Sequence, residues 1–410
     1  MGCRGSYTSA VRPPHVQRIT LENFKSFAKC DVFLDPLTVL VGRNGSGKSN
    51  LLDAVQFTRE ALEQSLDYAV RERAGIDGVR RRSRLNRPTT ARVELRVSLP
   101  GGFADYGYRL SAASGGRYEV LSERCVVRTR EIDCTYALER GAFAQWTIPG
   151  RPQPADLLPD RLALPTLSGI PALRGVYDAL TRVVLHNLSP DAMKEPARPS
   201  SAEVLDRRGS NIAAVVSAMP DEARSRLVRY LSGITGYEIQ DVRRKSIGSY
   251  ETIEIAQVIA DAKRAWEFDA ASVSDGTLRA LGILASALSE PGDRGPLFIG
   301  IEEPENALHP AAAGFLVDAL LEGAEHRQVV ITTHSPSLIE GDRLDPSCLR
   351  CVVYEDGESK VGPLSRSTME LLKKHLYDPG ELLRLDQLVP DAEDLERQQG
   401  VRSLFDEVAA

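Results

Sequence analysis

LTVLVGRNGSGKSNLLDAV, residues 37–55, reads as five apolar or β-branched residues, a glycine-rich turn and the start of a helical pattern. The turn, residues 42–49, satisfies G-x-x-x-x-G-K-[ST] and has the strand before it and the helix after it that the motif's mechanism needs. Glycines let a backbone loop turn its N–H groups inward onto phosphate oxygens, and the helix N-terminus adds the positive end of its dipole. Gly42, Asn44, Gly45, Ser46, Gly47 and Asn50 are therefore candidate nucleotide contacts. Lys48 would neutralise the β- and γ-phosphates of ATP, and Ser49 would hold Mg²⁺ through its hydroxyl. An incidental glycine turn is the alternative.

A second stretch, LFIGIEEPENALHP at 297–310, ends an apolar run in three carboxylates and a histidine. Carboxylates at the tip of a buried segment are costly unless a cation compensates them. Beside a phosphate loop, that cation is a magnesium nucleotide. Glu302 becomes the metal-binding candidate and Glu303 the general base that polarises the attacking water. The alternative is that both acids only cap the next helix.

Two further stretches follow the same logic. In SVSDGTLRA (272–280), Ser274 and Gly276 open a helix and can present a hydroxyl and N–H groups to an anion. Ser and Asp are also ordinary helix caps, and both readings stand. In VVITTHSPSLI (329–339), His334 ends an apolar strand, and the carboxyl edge of a parallel sheet is where such folds bind ligands.

Around these motifs the chain is that of an ordinary globular protein: 410 residues, 42% hydrophobic, 26% charged. Its net charge of −6 argues against a wholly basic nucleic-acid binder. Charge is uneven, however: RERAGIDGVRRRSRLNR (71–87) holds seven arginines against two acids, and fits a DNA contact, a solvated loop or a protein-docking surface. No apolar run approaches the roughly 20 residues that span a bilayer, so no membrane association is expected. Six scattered cysteines suit a reducing cytoplasm, and the single CxxC (Cys348, Cys351) lacks a second ligand pair for zinc. Met1, Gly2 and Ser6 match a short myristoylation pattern within an opening, 1–15, that reads as a disordered leader.

Residues 91–148 alternate in short runs parted by turns, an antiparallel meander. Proline-rich 150–172 and 189–202 read as loops. Apolar runs alternating with helices after 290 imply a parallel sheet covered on both faces. The expected organisation is an N-terminal lobe at 16–190, a C-terminal lobe at 203–365 and a helical tail at 366–410. No heptad run predicts a long coiled coil.

Taken in order, the four stretches resemble an ABC-type ATPase of the SMC/RecF branch. ITLENFKSFAKCDVFLDPLTVLVGRNGSGKSNLLDAV (19–55) carries that resemblance most closely. The chain also looks like compact bacterial "AAA family ATPases" related to OLD-family and Septu-type defence ATPases. The resemblance implies an α/β fold: an ABC-type head with a mixed or parallel sheet flanked by helices, plus an antiparallel β-lobe. It makes 42–49 the Walker A loop, FIGIEE the Walker B strand, SDGTL the signature, ENALHP the D-loop and His334 the switch histidine. It implies a homodimer that sandwiches two ATP, with Ser274 and Gly276 of one subunit on the nucleotide of the other, and it places Lys25 and Ser26 of NFKSF near the nucleotide.

Three departures from the pattern are visible. The signature lacks the Leu-Ser-Gly-Gly-Gln form, Glu302 stands where aspartate is usual, and neither Gln56 nor HNLSP (186–190) makes a convincing Q-loop. The expected function is ATP hydrolysis coupled to DNA or a separate nuclease, in DNA repair, genome maintenance or antiviral defence. The alternative is a nucleotide-gated scaffold that holds an effector protein inactive.

Overall fold

In the computed structural model, which describes residues 15–82, 88–260, 264–290, 292 and 295–406, the strand Leu37–Val41 is buried at all five positions. It lies inside a six-stranded sheet ordered Glu358–Pro363, Leu349–Glu355, Leu37–Val41, Gln328–Thr333, Phe298–Glu302, Val183–His186. Every pairing is parallel except that of the first two strands, a hairpin at one edge. Burial on both faces explains the near-continuous apolar runs. Leu37, Val39, Val41, Ile299, Ile301, Val329 and Ile331 face one core; Leu40, Phe298 and Val330 face the other.

The first of these cores is closed by the helices Asp221–Thr235, Asp275–Leu288 and Ala313–Ala324, whose apolar stripes lie over the sheet. The second holds the helix Lys48–Glu63 between the six-stranded sheet and a seven-stranded antiparallel sheet. That sheet runs Phe27–Phe33, Val16–Phe24, Thr90–Leu99, Gly102–Ala112, Tyr118–Thr129, Asp133–Glu139, Ala142–Trp146. Its last five strands are the expected meander, each pairing with the next. A three-stranded sheet, Ile239–Ile247, Tyr250–Gln257 and Trp266–Asp269, precedes the helix Asp275–Leu288.

One expectation needs correction. The proline-rich stretches are partly helical: Pro171–Thr181 and Pro190–Lys194 both begin on proline, whose fixed φ and missing N–H suit a first helical turn. The C-terminal segment forms three short helices, Arg366–Lys373, Pro379–Arg384 and Ala392–Gln399. The leader expectation lies outside the described residues except for His15, which hydrogen-bonds Ser98.

No helix among the described residues is long and apolar enough to cross a membrane. The five described cysteines are free thiols, and burial pushes Cys348 and Cys351 up to about 12.

Candidate nucleotide site at the carboxyl edge of the sheet

Gly47 joins the loop to its helix at φ 109°, a conformation that strongly favours glycine. A Cβ there would fall 2.2 Å from Ser359 Oγ and 2.9 Å from Ser26 Oγ. The Ser359 hydroxyl donates to the Ser46 carbonyl (2.6 Å) and accepts from the Ser26 hydroxyl (2.7 Å), and the Asn50 amide donates to Ser26 Oγ (2.8 Å). The hairpin strand Glu358–Pro363 and the 25–26 turn thus brace the loop from behind. Arg43, Asn44, Gly45 and Ser49 face solvent, whereas Lys48 is buried. Its ammonium donates to the carbonyls of Gly42 (2.7 Å) and Arg43 (3.0 Å), and the buried Ser46 hydroxyl has no partner.

The strand order brings the acids to this loop. Phe298–Glu302 pairs with Gln328–Thr333, which pairs with Leu37–Val41, so Glu302, Thr333 and Gly42 lie along one sheet edge. Burial lowers the affinity of Lys48 for its proton, and the charges of Glu303, Glu305 and Glu302 oppose that. Glu303 takes φ 44°, left-handed for a residue with a Cβ. Its carboxylate accepts from the Asn306 amide (2.6 Å) and from His334 Nδ1 (3.0 Å). Burial pushes the Glu303 carboxyl up, but Asn306, His334 and the charge of Lys48 outweigh it and hold it below the usual carboxylate range. Glu305, which accepts from Thr333 Oγ1, is pushed up by burial. Among the described residues the Glu302 carboxylate makes no hydrogen bond or ion pair.

This donor set fits a magnesium nucleotide. Among the described residues an unpartnered buried hydroxyl at Ser46, the buried cation of Lys48, an exposed Ser49 hydroxyl and an unengaged Glu302 carboxylate belong to the loop and the strand tip that the sheet order brings together.

Other predicted residues lie elsewhere. The Lys25 ammonium pairs with Asp53 at 2.6 Å, and Ser26 rather than Lys25 is the residue of that turn in contact with the loop. Ser274 caps its own helix, accepting from the Thr277 N–H at 3.2 Å. Gly276 lies against the 306–309 turn, where a Cβ would be 2.3 Å from the Ala307 carbonyl oxygen. Among the described residues no hydrogen bond or ion pair joins Ser274 or Gly276 to loop 42–49. Gln56 is held inside its helix by Glu60 (2.6 Å). Stretch 186–190 ends the edge strand: His186 is level with Ile301, which brings Asn187 level with Glu302.

In the arginine-rich segment, Arg73 is buried on Asp53 (2.7 Å) and Glu60 (2.6 Å), and Arg71 and Arg80 pair with acids of their own helices. Arg84 and Arg87 lie outside the described residues.

Sequence reasoning missed Arg279. From the helix Asp275–Leu288 its guanidinium reaches the carbonyls of Glu302 (3.1 Å), Glu303 (3.3 Å) and Leu188 (3.3 Å). The only available signal was its position four residues after Asp275. Ser359 gave no signal at all, being 310 residues from Ser49.

Comparison with known proteins agrees with this fold. Residues 15–104 match the family described as "RecF/RecN/SMC N terminal domain", and residues 163–340 match "AAA domain, putative AbiEii toxin, Type IV TA system". The DNA double-strand break repair Rad50 ATPase of Halobacterium salinarum is 39% identical over 117 residues, 27% of this chain and 11% of that protein. The DNA replication and repair protein RecF of Streptomyces avermitilis is 48% identical over 44 residues, 10% of this chain and 12% of that protein. The chain thus spans about a tenth of the length of these curated relatives. Among solved structures, the SmcHead crystallised with the C-winged helix domain of ScpA aligns over 87% of this chain and 99% of that one. Its TM-score is 0.52 at 16% identity, a likeness of fold.

Proposed function

We propose that this chain, which belongs to the SMC/RecF branch of ABC-type ATPases, is a magnesium-dependent ATPase that closes as a pair of identical chains around two ATP and acts with DNA. The observation that carries this reading is the convergence of buried Lys48 with Glu302, Glu303 and Glu305 at one sheet edge. Loop 42–49 holds the triphosphate through its N–H groups and Lys48. Ser49 and Glu302 hold the magnesium ion, which when bound neutralises phosphate charge.

Glu303, kept ionised by Asn306 and His334, accepts the proton of the attacking water. His334 sets the direction of that carboxylate and senses the γ-phosphate. Ser274 and Gly276, which no hydrogen bond or ion pair joins to their own loop among the described residues, serve the nucleotide of the second copy. Genome maintenance is favoured by the relatives' names, and antiviral defence remains within the same reading. We take the protein to be cytoplasmic, with any cleavage supplied by a separate nuclease subunit.

A second reading, a nucleotide-gated scaffold holding an effector, is favoured by the double clasp on Glu303, which would slow turnover. ATPase assays with and without DNA separate the two: DNA-stimulated turnover supports the first, and stable ATP retention with a co-purifying effector supports the second. Lys48→Ala should weaken ATP binding at least about 100-fold, a loss of about 3 kcal/mol of charge-assisted contact. Parent-like affinity, measured by titration calorimetry, would remove the phosphate-cradle reading.

A further inference from the structure

The helix Asp275–Leu288 carries an acid in its first turn, at the end that the reading above turns toward a second copy's nucleotide. An aspartate there stabilises an isolated helix by meeting the positive end of the dipole. Toward an incoming γ-phosphate the same aspartate is repulsive. Its natural partner in sequence is Arg279, one turn on, but that guanidinium is committed to the carbonyls of Leu188, Glu302 and Glu303. The charge is met instead from a different element. Lys194, the last residue of the helix Pro190–Lys194, places Nζ 2.5 Å from Asp275 Oδ1.

Pro190–Lys194 is firmly seated. Leu188 and Met193 are buried in the same core as Leu278, Leu281 and Leu284, and both crowd Gly282. Ser189 caps it, accepting from Ala192 N–H. The ion pair itself stays accessible, with side-chain exposures of 30% for Lys194 and 59% for Asp275.

We propose that Lys194 is the positioning residue of the signature turn: it cancels the Asp275 charge, so that the Ser274 hydroxyl and the helix N–H groups can meet the triphosphate bound by a second copy of the chain. The inference rests on the two-copy reading. It explains how a turn with aspartate between its serine and glycine can still accept an anion.

The test uses the full chain carrying Glu303→Gln, so that an ATP-bound dimer accumulates. Dimer dissociation constants are measured by sedimentation with ATP and Mg²⁺, and ATP binding by each monomer is measured in parallel. Lys194→Met, which keeps the aliphatic stem, should weaken the dimer about tenfold, the effect of one exposed charge near an anion. Asp275→Asn should strengthen it, the double variant should return toward the parent, and Lys194→Arg should behave as the parent. ATP binding by the monomer should not change in any of them.

Parent-like dimerisation of Lys194→Met would overturn the proposal. So would equal weakening by Lys194→Met and Asp275→Asn, the pattern of an ion pair that only holds structure. If Glu303→Gln with Lys194 intact binds ATP and stays monomeric, the two-copy reading itself fails, a result distinct from either.

Discussion

Glu303 follows a strand whose pairing stops at Glu302, its backbone is left-handed at φ 44°, and its carboxylate is held from two sides. A left-handed non-glycine residue costs roughly 1 kcal/mol, so the surrounding contacts must fix it there. The N–H of Glu303 donates to the Thr332 carbonyl (2.9 Å), and Arg279 holds the two carbonyls on either side of that peptide. Glu303→Gln preserves shape but removes the proposed base. Turnover should fall at least about 100-fold, the scale of one general base, with ATP affinity retained; hydrolysis at the parent rate would assign the proton to another residue.

His186 gives a second test at the same scale. It is buried, hydrogen-bonds Ser286 Oγ at 2.6 Å, and burial lowers its pKa to about 4. The unfolded chain, with an ordinary histidine, binds that proton from about pH 6.5 downward. Stability is therefore full above pH 6.5 and is lost as pH falls toward 4, by up to about 3 kcal/mol. His186→Gln should flatten that part of the curve in chemical denaturation at stepped pH.

The elements around the site divide by how local their causes are. The strand Leu37–Val41, its loop and its helix were legible because pattern and mechanism lie within twenty residues. The acidic strand tip was legible because an apolar run ending in carboxylates demands a counter-charge. The bracing was not legible: Ser26 reaches Gly47 from a turn near one end of the chain and Ser359 from a strand near the other. Nor was the approach of the helix Asp275–Leu288 to the 306–309 turn, where Gly276 meets the Ala307 carbonyl. Gly276→Ala must push that turn aside. Its expected signature is a several-fold loss of turnover with nucleotide affinity within about twofold of the parent, because the strain falls on the element carrying Asn306 and costs about 1–3 kcal/mol as overpacking does. Unchanged kcat would show that the 306–309 turn is free to move.

At the scale of the molecule, the C-terminal segment is fastened to the seven-stranded sheet and, where the Gln398 amide donates to the Val361 carbonyl (2.7 Å), to the six-stranded one. Asp31, fully buried, accepts from Arg18, Thr20 and Arg397, and its N–H donates to Gln398. Glu94 accepts from Ser403 and Leu404, and the Arg124 guanidinium donates to the Leu404 carbonyl. Removing residues 392–410 strips Asp31 of one of its two arginines, leaving Arg18 and Thr20 in place, and should cost about 1–3 kcal/mol, the scale of a hydrogen bond to a charged group. A thermal midpoint unchanged within a degree would make this segment dispensable.

The sequence by itself determined the glycine-rich loop between strand and helix, the acidic strand tip, the antiparallel meander and the two-faced sheet. Each rests on periodicity or on a motif whose residues are neighbours in the chain. Only the tertiary structure decided that the His334 strand runs between loop and acids, that Arg279 serves the strand tip, and that Lys194 takes the place of Arg279 beside Asp275. Those outcomes depend on strand order and on which distant polar groups burial forces to find partners, and neither is encoded in the spacing of residues along the chain.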